Sequence, residues 1–246
     1  AFNGLTYLNS FDTKNVTTIG KSAFLESGIS SISIGKVVSI ETLAFQNCKN
    51  LTSITIPSSV KTIGAQVFYG CTSLTTVTIN ENPGLTTIPN NAFANCEKLE
   101  NITLPEGIVT IGSGAFNPSG LGHITLPTTA SNVHENAFAN DVTILRKLNL
   151  TFDENAEWTT YYSREDLTRP AGTKVYIIKG IDSENNIIPE QINYIPKETA
   201  VLIQRDSKTQ TAFEASSIKN PVPLSVEPWE SFKGSVTPFT GISNLP

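Results

Sequence analysis

The chain has 246 residues, a formal net charge of −5 and only 16% charged residues, enough for one large domain or two ordinary ones with a sizeable core. Its few Lys and Arg residues are scattered without a basic stripe, which argues against nucleic acid or an anionic membrane surface as partner. No apolar run approaches the length of a membrane span.

The chain contains no Met, and so reads as a processed or trimmed piece; missing targeting segments then carry no information about location. Abundant Ser, Thr and Asn with low charge suit an exported β-rich protein better than a cytosolic enzyme.

From the N-terminus the chain is periodic. Phe24, Phe45, Phe68, Phe93, Phe116 and Phe138 are spaced by 21, 23, 25, 23 and 22 residues, and Phe2 lies 22 before Phe24. Five residues before each Phe stands a β-branched apolar residue: Ile19, Ile40, Ile63, Ile88, Ile111 or Val133. Five or six after it comes Ile29, Leu51, Leu74, Leu99 or Leu121, which opens an L-x-x-I-x-I segment such as Leu51 to Ile56. The I-x-I alternation places the apolar residues on one face of a strand and the intervening ones on the other. One such strand cannot bury its face alone, but stacked copies can, at roughly 4.8 Å per rung. Val60, Ile63, Phe68, Leu74, Val77 and Ile79 are the expected inward set of one coil.

The turns follow the same period. Asn47, Gly70, Asn95 and Asn140 lie two residues after Phe, where a sharp corner needs positive φ. Glu26 and Pro118 depart from this, and in those coils Gly28 or Gly120 precedes the Ile or Leu. The corner is therefore expected to be rebuilt on that glycine. The A-F-x-x-C segment is read as a single helical or 3₁₀ turn. Asn80 to Gly84 is longer than the matching Pro57 to Ser59 and should bulge from one edge.

The phrase I-G-x-x-A-F-x-x-C-x-x-L-x-x-I-x-I-P, carried by 63–79 and 88–105, resembles the BspA-like (Treponema-type) leucine-rich repeat over roughly residues 2–146. The resemblance implies a right-handed solenoid with a parallel sheet on one side. It also implies a bacterial cell-surface or secreted protein of adhesive or protein-binding function, with no catalytic residue to carry over.

Near residue 147 the period stops. Lys147 to Glu157 is a polar junction, and apolar runs follow at Trp158–Tyr162, Lys174–Lys179, Ile187–Tyr194, Ala200–Gln204 and Thr211–Glu214. Turn signals at Asp182 to Asn185 and Pro196 to Glu198 separate them. With no amphipathic helical stripe, 147–246 reads as a small antiparallel, β-sandwich-like domain behind a solenoid over 1–146. Its strand motifs resemble a β module at the C-termini of exported Bacteroidetes proteins. The tail from 215 is rich in Pro, Ser and Gly.

Candidate sites follow from this frame. The outward strand positions Ser31, Ser33, Ser53, Thr55, Thr76, Thr78, Asn101, Thr103, His123 and Thr125 form a flat, hydroxyl-rich, nearly uncharged face. It is either ordinary exposed strand surface or a docking face for protein or glycan. Cys48, Cys71 and Cys96 all lie three residues after Phe and should form a ladder of small core thiols. A disulfide or metal site is the alternative, disfavoured by parallel Cβ vectors and the lack of a fourth ligand. His123 and His134 lack a Cys or carboxylate at linked spacing and read as solvated.

Trp158, Tyr161, Tyr162 and Trp229 are core aromatics or a sugar-stacking set. Carboxylates such as those in Asp153 to Glu157 are plentiful, but nothing fixes two of them as a catalytic pair. No Ser/His/Asp order with supporting motifs, phosphate-cradling glycine loop or H-E-x-x-H occurs. No enzyme activity and no cofactor are therefore expected. The expected partner is a host or neighbouring-cell surface protein, with a glycan as a further option, bound by a monomeric chain; the alternative function is a carbohydrate-binding accessory protein of a glycan-utilisation system. The C-terminal domain is expected to cap the last coil or to act as a spacer.

Overall fold

The computed structural model describes residues 1–81, 84–148, 150, 156–163, 166–181, 183, 187–207 and 213–216. The part before residue 143 is a β-solenoid in which each coil carries two short strands. In chain order these are β1 (Ser10–Asp12) and β2 (Thr18–Ile19), β3 (Ser31–Ser33) and β4 (Ser39–Ile40), then β5 (Ser53–Ile56) and β6 (Thr62–Ile63). There follow β7 (Thr76–Ile79) and β8 (Thr87–Ile88), β9 (Asn101–Thr103) and β10 (Thr110–Ile111), then β11 (His123–Leu126) and β12 (Asn132–Val133).

All pairing between coils is parallel. The longer strands form one flank, with β1 on β3, β5–β7–β9 as a sheet and β11 on β13 (Thr143–Lys147). The shorter strands form a second flank, β2–β4–β6 and β8–β10–β12. Ile54, Val77 and Ile102 share one register position and all point inward.

The third side is built by the Phe segments. The rings of Phe2, Phe24, Phe45, Phe68, Phe93, Phe116 and Phe138 form one continuous stack, with neighbouring centroids 5.2–5.4 Å apart and planes within 16° of parallel. Phe45, Phe68, Phe93 and Phe116 are fully buried. The whole inward set expected for one coil, from Val60 to Ile79, is buried as well. At roughly 1.5–3 kcal/mol per large apolar side chain removed from water, this column is the main favourable term of each coil.

The A-F-x-x-C segments are not helical; no helix occurs among the described residues. Each is a run of consecutive turns in which backbone donors alternate in direction. Ala23, Leu25 and Ser27 donate within their own coil, to Gly20, Ser22 and Phe24. Ser22, Phe24 and Glu26 donate to Thr42, Ala44 and Gln46 of the next coil. A helix would aim every N–H along its own axis and leave none for the neighbour. The alternation is produced by left-handed residues two before and two after Phe: Ser22 and Glu26, Leu43 and Asn47, Gln66 and Gly70, Asn91 and Asn95.

This corrects the expected corners. Glu26 keeps φ at +57°, so its corner is not rebuilt on Gly28. Gly28 and Gly120 instead permit a close approach: a Cβ would stand 1.9 Å from the Thr6 carbonyl oxygen and 2.5 Å from that of Glu97. Asn140 does not adopt positive φ; past it the repeat ends and the chain enters β13. The expected bulge of Asn80 to Gly84 falls partly on residues 82 and 83, outside the described residues.

Beyond the solenoid, β14 (Trp158–Tyr162), β15 (Leu167–Thr168), β16 (Thr173–Ile181), β17 (Ile187–Ile192), β18 (Tyr194–Ile195), β19 (Ala200–Arg205) and β20 (Glu214–Ser216) follow. Strands β14–β19–β16–β17 form an antiparallel sheet and β15–β18 a separate antiparallel pair. Of the apolar run Thr211–Glu214, Glu214 opens β20, and 211–212 lie outside the described residues, as does the tail from 217. Among the described residues two hydrophobic clusters occur, one from Ile19 to Val142 and one from Leu148 to Ala215. Ile144 of β13 packs on the first cluster and Leu148, just past β13, belongs to the second; the far edge of β13 is covered by β20 in antiparallel register, Arg146 opposite Ala215.

Candidate functional site

The hydroxyl-bearing face is two in-register columns on the longer strands. Ser53, Thr76 and Asn101 are cross-strand partners in one column; Thr55, Thr78 and Thr103 are partners in the other. Ser31 pairs with Ser10 and Ser33 with Asp12 at one end. His123 pairs with Thr143 and Thr125 with Leu145 at the other. Parallel strands put like positions side by side, so the repeat period turns single hydroxyls into rows about 4.8 Å apart. Ser31, Ser33, Ser53, Thr55, Thr76, Thr78, Asn101, Thr103 and His123 are exposed; Thr125 is half-buried opposite Leu145.

A second hydroxyl row lies on the shorter strands and was not picked out from the sequence. Thr18, Ser39 and Thr62 pair in one sheet, Thr87, Thr110 and Asn132 in the other. Thr62 Oγ1 donates to Ser39 Oγ at 3.0 Å. Val38 and Val109 are exposed beside this row. The signal was present as the Thr-Ile or Ser-Ile pair that ends five residues before Phe in five of the six repeats, with Asn132-Val133 in the sixth. A two-residue strand is too short to show an alternation.

Cys48, Cys71 and Cys96 are buried free thiols. Their Sγ atoms donate to the carbonyls of Phe24, Phe45 and Phe68 in the preceding coils, at 3.0, 3.1 and 3.2 Å. Ser27 lies against Cys48, Oγ to Sγ 3.5 Å, and the backbones of Cys96 and Ser119 form an isolated parallel β-bridge. Burial disfavours the thiolate: it raises the Cys48 pKa, raises that of Cys71 well above 9.0, and pushes Cys96 up to about 12. The ladder is structural: each thiol is a second donor to a carbonyl that already accepts a turn N–H, from Ser27, Cys48 or Cys71. Among the described residues, no group of three or more His, Cys, Asp and Glu is placed to hold a metal ion. His134 Nδ1 accepts from the Asn136 N–H at 3.1 Å on an exposed turn.

Of the aromatic residues, Tyr161 packs on the second hydrophobic cluster, whereas Tyr162 is exposed. Trp158 is half-buried and meets Tyr176, ring centroids 5.2 Å apart and planes at 47°. Trp229 and Asp153 lie outside the described residues.

Stacked parallel coils, a buried Phe column and inward apolar positions that recur on every rung define a leucine-rich-repeat solenoid. The match to the family model for the BspA type leucine rich repeat region, in six copies over residues 1–49 and 17–145, covers more than half of the chain, and the chain belongs to that family.

Solved structures similar to it include a leucine-rich repeat protein from Bacteroides ovatus, 34% identical over 44% of this chain and 28% of that one, TM-score 0.40. Another is a leucine rich cell surface protein from Faecalibacterium prausnitzii, 32% identical over 46% of this chain and 31% of that one, TM-score 0.42. A third is the leucine rich repeat protein of T. pallidum, 34% identical over 44% of this chain and 50% of that one, TM-score 0.39. The matched part thus spans between 28 and 50% of those chains. A comparison with curated proteins returned no match.

Proposed function

We propose that this chain is a non-catalytic binding part of a bacterial cell-surface or secreted protein, a monomer that adheres to a protein on a host or neighbouring cell. The observation that carries the reading is the pair of exposed, in-register columns Ser53–Thr76–Asn101 and Thr55–Thr78–Thr103. A rigid array of short hydroxyl side chains loses little rotamer entropy on binding and has both donors and acceptors to offer. Its near lack of charge leaves little desolvation cost. Repeat solenoids commonly bind along such extended faces.

The test is saturable binding of the purified chain to immobilised fibronectin, laminin and collagen. Changing Thr55, Thr78 and Thr103 together to Lys places three like charges one rung apart without touching the core. Binding to at least one of these proteins that falls tenfold or more in the variant supports the reading. No saturable binding, or binding that the variant retains, overturns it.

A further inference from the structure

A separate site lies at one end of the C-terminal sheet. Cross-strand pairing sets Trp158 opposite Gln204 and Gln204 opposite Lys174, so the three side chains form one row on one face. This is the face away from the second hydrophobic cluster, since Tyr161, an odd number of residues along β14, is the one that packs there. Beside the row a cavity of about 200 Å³ is lined by Glu157, Lys174, Gln204, Arg205 and Asp206. Arg205 is fixed in its wall, its Nε and Nη2 donating to the Ala156 carbonyl at 3.1 and 2.7 Å.

The chemistry of the lining selects the ligand class. Two carboxylates face two cationic groups, so the site has no net sign with which to attract a phosphate, a sulfated chain or a cation. It offers acceptors, donors and the Gln204 amide, whose Oε1 lies 3.5 Å from the Tyr176 hydroxyl; Trp158, half-buried and packed on Tyr176, stands beside the cavity on the same row. A sugar ring has the matching surfaces: hydroxyls that donate and accept around its rim, and C–H groups that form an apolar face suited to an aromatic ring. The cavity is smaller than the roughly 300–1,000 Å³ of a pocket that engulfs a drug-sized ligand. It suits a single ring of a longer chain.

We propose that this end of the C-terminal sheet binds an uncharged glycan, with one sugar ring on Trp158 and its hydroxyls at Gln204, Lys174, Glu157 and Asp206. The site is independent of the solenoid face, and its ligand is of a different class.

The experiment uses the whole chain with Trp229→Phe, which leaves Trp158 as the single tryptophan reporter. It is titrated with cellohexaose, xylohexaose, mannohexaose and maltohexaose, and with heparin as the anionic comparison. The expected result is a saturable change in Trp158 emission with at least one neutral oligosaccharide and none with heparin. Gln204→Ala, at a half-buried position where the long contact with the Tyr176 hydroxyl is lost, weakens that binding at least tenfold, whereas Tyr176→Phe, which removes that contact but keeps the amide, leaves it within threefold. Trp158→Ala, followed by calorimetry, abolishes it. The Thr55, Thr78 and Thr103 to Lys variant leaves it unchanged, which separates this site from the solenoid face. Binding of heparin alone, binding of none of the four sugars, or sugar binding that survives Gln204→Ala and Trp158→Ala overturns the proposal.

Discussion

The rings of Phe45 and Phe68 stack 5.4 Å apart with planes 9° from parallel, although 22 residues separate them in the chain. Each is fully buried and has another Phe on its far side. Phe68→Ala therefore opens a cavity that two rigid rings cannot collapse into, and should cost about 3–5 kcal/mol. Phe2→Ala removes a half-buried ring at the end of the stack and should cost clearly less. Urea unfolding of the two variants checks this. Equal small losses would mean that the rings do not act as one column.

Gly64 and Gly20 hold the same place in their repeats, four residues before Phe, yet they face different neighbours. A Cβ on Gly64 would stand 2.2 Å from the Thr42 nitrogen and 2.5 Å from the Glu41 carbonyl carbon, both backbone atoms of the adjacent coil. On Gly20 the nearest atom would be Glu41 Oε2, an ordinary contact at 3.9 Å. Gly64→Ala should thus lower stability by a few kcal/mol, on the scale of overpacking, about 1–3 kcal/mol or more, because backbone cannot swing aside. Gly20→Ala should change it by less than about 0.5 kcal/mol or raise it slightly. Thermal unfolding of both variants distinguishes steric demand from motif membership.

These two pairs also show what the sequence carries. The Phe period was legible because every ring does the same work in every coil, so one spacing reports the whole column. Ser53, Thr55, Thr76 and Thr78 were legible as a face because a four-residue strand displays its alternation. The left-handed residues at Leu43 and Gln66 were not. Neither side chain favours that conformation, which costs roughly 1–2 kcal/mol. It is held by the N–H groups of both residues donating to Ala65 and Asn90 of the next coil, a bond between chain positions that no local pattern displays. Glu26 is the same case. The β13–β20 pairing was hidden for a related reason, since nearly 70 residues separate its strands. The cavity by Trp158 was hidden because Glu157, Lys174 and Asp206 come together only through antiparallel register.

The cysteine ladder gives stability a dependence on pH in the alkaline range. Burial raises all three thiol pKa values above the ordinary 9.0, Cys96 to about 12. The folded chain therefore keeps protons that the unfolded chain releases above pH 9. The contribution is full below pH 9 and declines as pH rises from there towards 12. Cys71→Ser with Cys96→Ser keeps a side-chain donor beside the Phe45 and Phe68 carbonyls but removes the titration. The decline in unfolding free energy between pH 8 and 10.5 should be steeper in the parent chain than in this double variant. Identical slopes, or rapid labelling of the native thiols by a disulfide reagent at pH 8, would contradict the buried ladder.

The last coil needs a cover, because an open end of a parallel sheet leaves a row of unpaired backbone groups and an apolar cross-section. Strand β20 supplies the pairing: Leu145, Arg146 and Lys147 lie opposite Ser216, Ala215 and Glu214, and the Leu148 N–H donates to the Phe213 carbonyl at 2.8 Å. Phe213 and Ala215 are buried in the second hydrophobic cluster, so the strand that closes the solenoid is itself anchored by the C-terminal sheet. Truncation after residue 146 removes the cover and both anchors while leaving every Phe of the stack. The fragment should self-associate through the β13 edge and unfold at a lower temperature than the whole chain. Phe213→Ala, which keeps the backbone but loosens the anchor, should cost about 3–5 kcal/mol in the C-terminal cluster and bring the onset of association to a lower temperature. Light scattering during thermal unfolding reads both. A truncated chain that stays monomeric with the parent's melting temperature would make the C-terminal sheet a spacer instead of a cap.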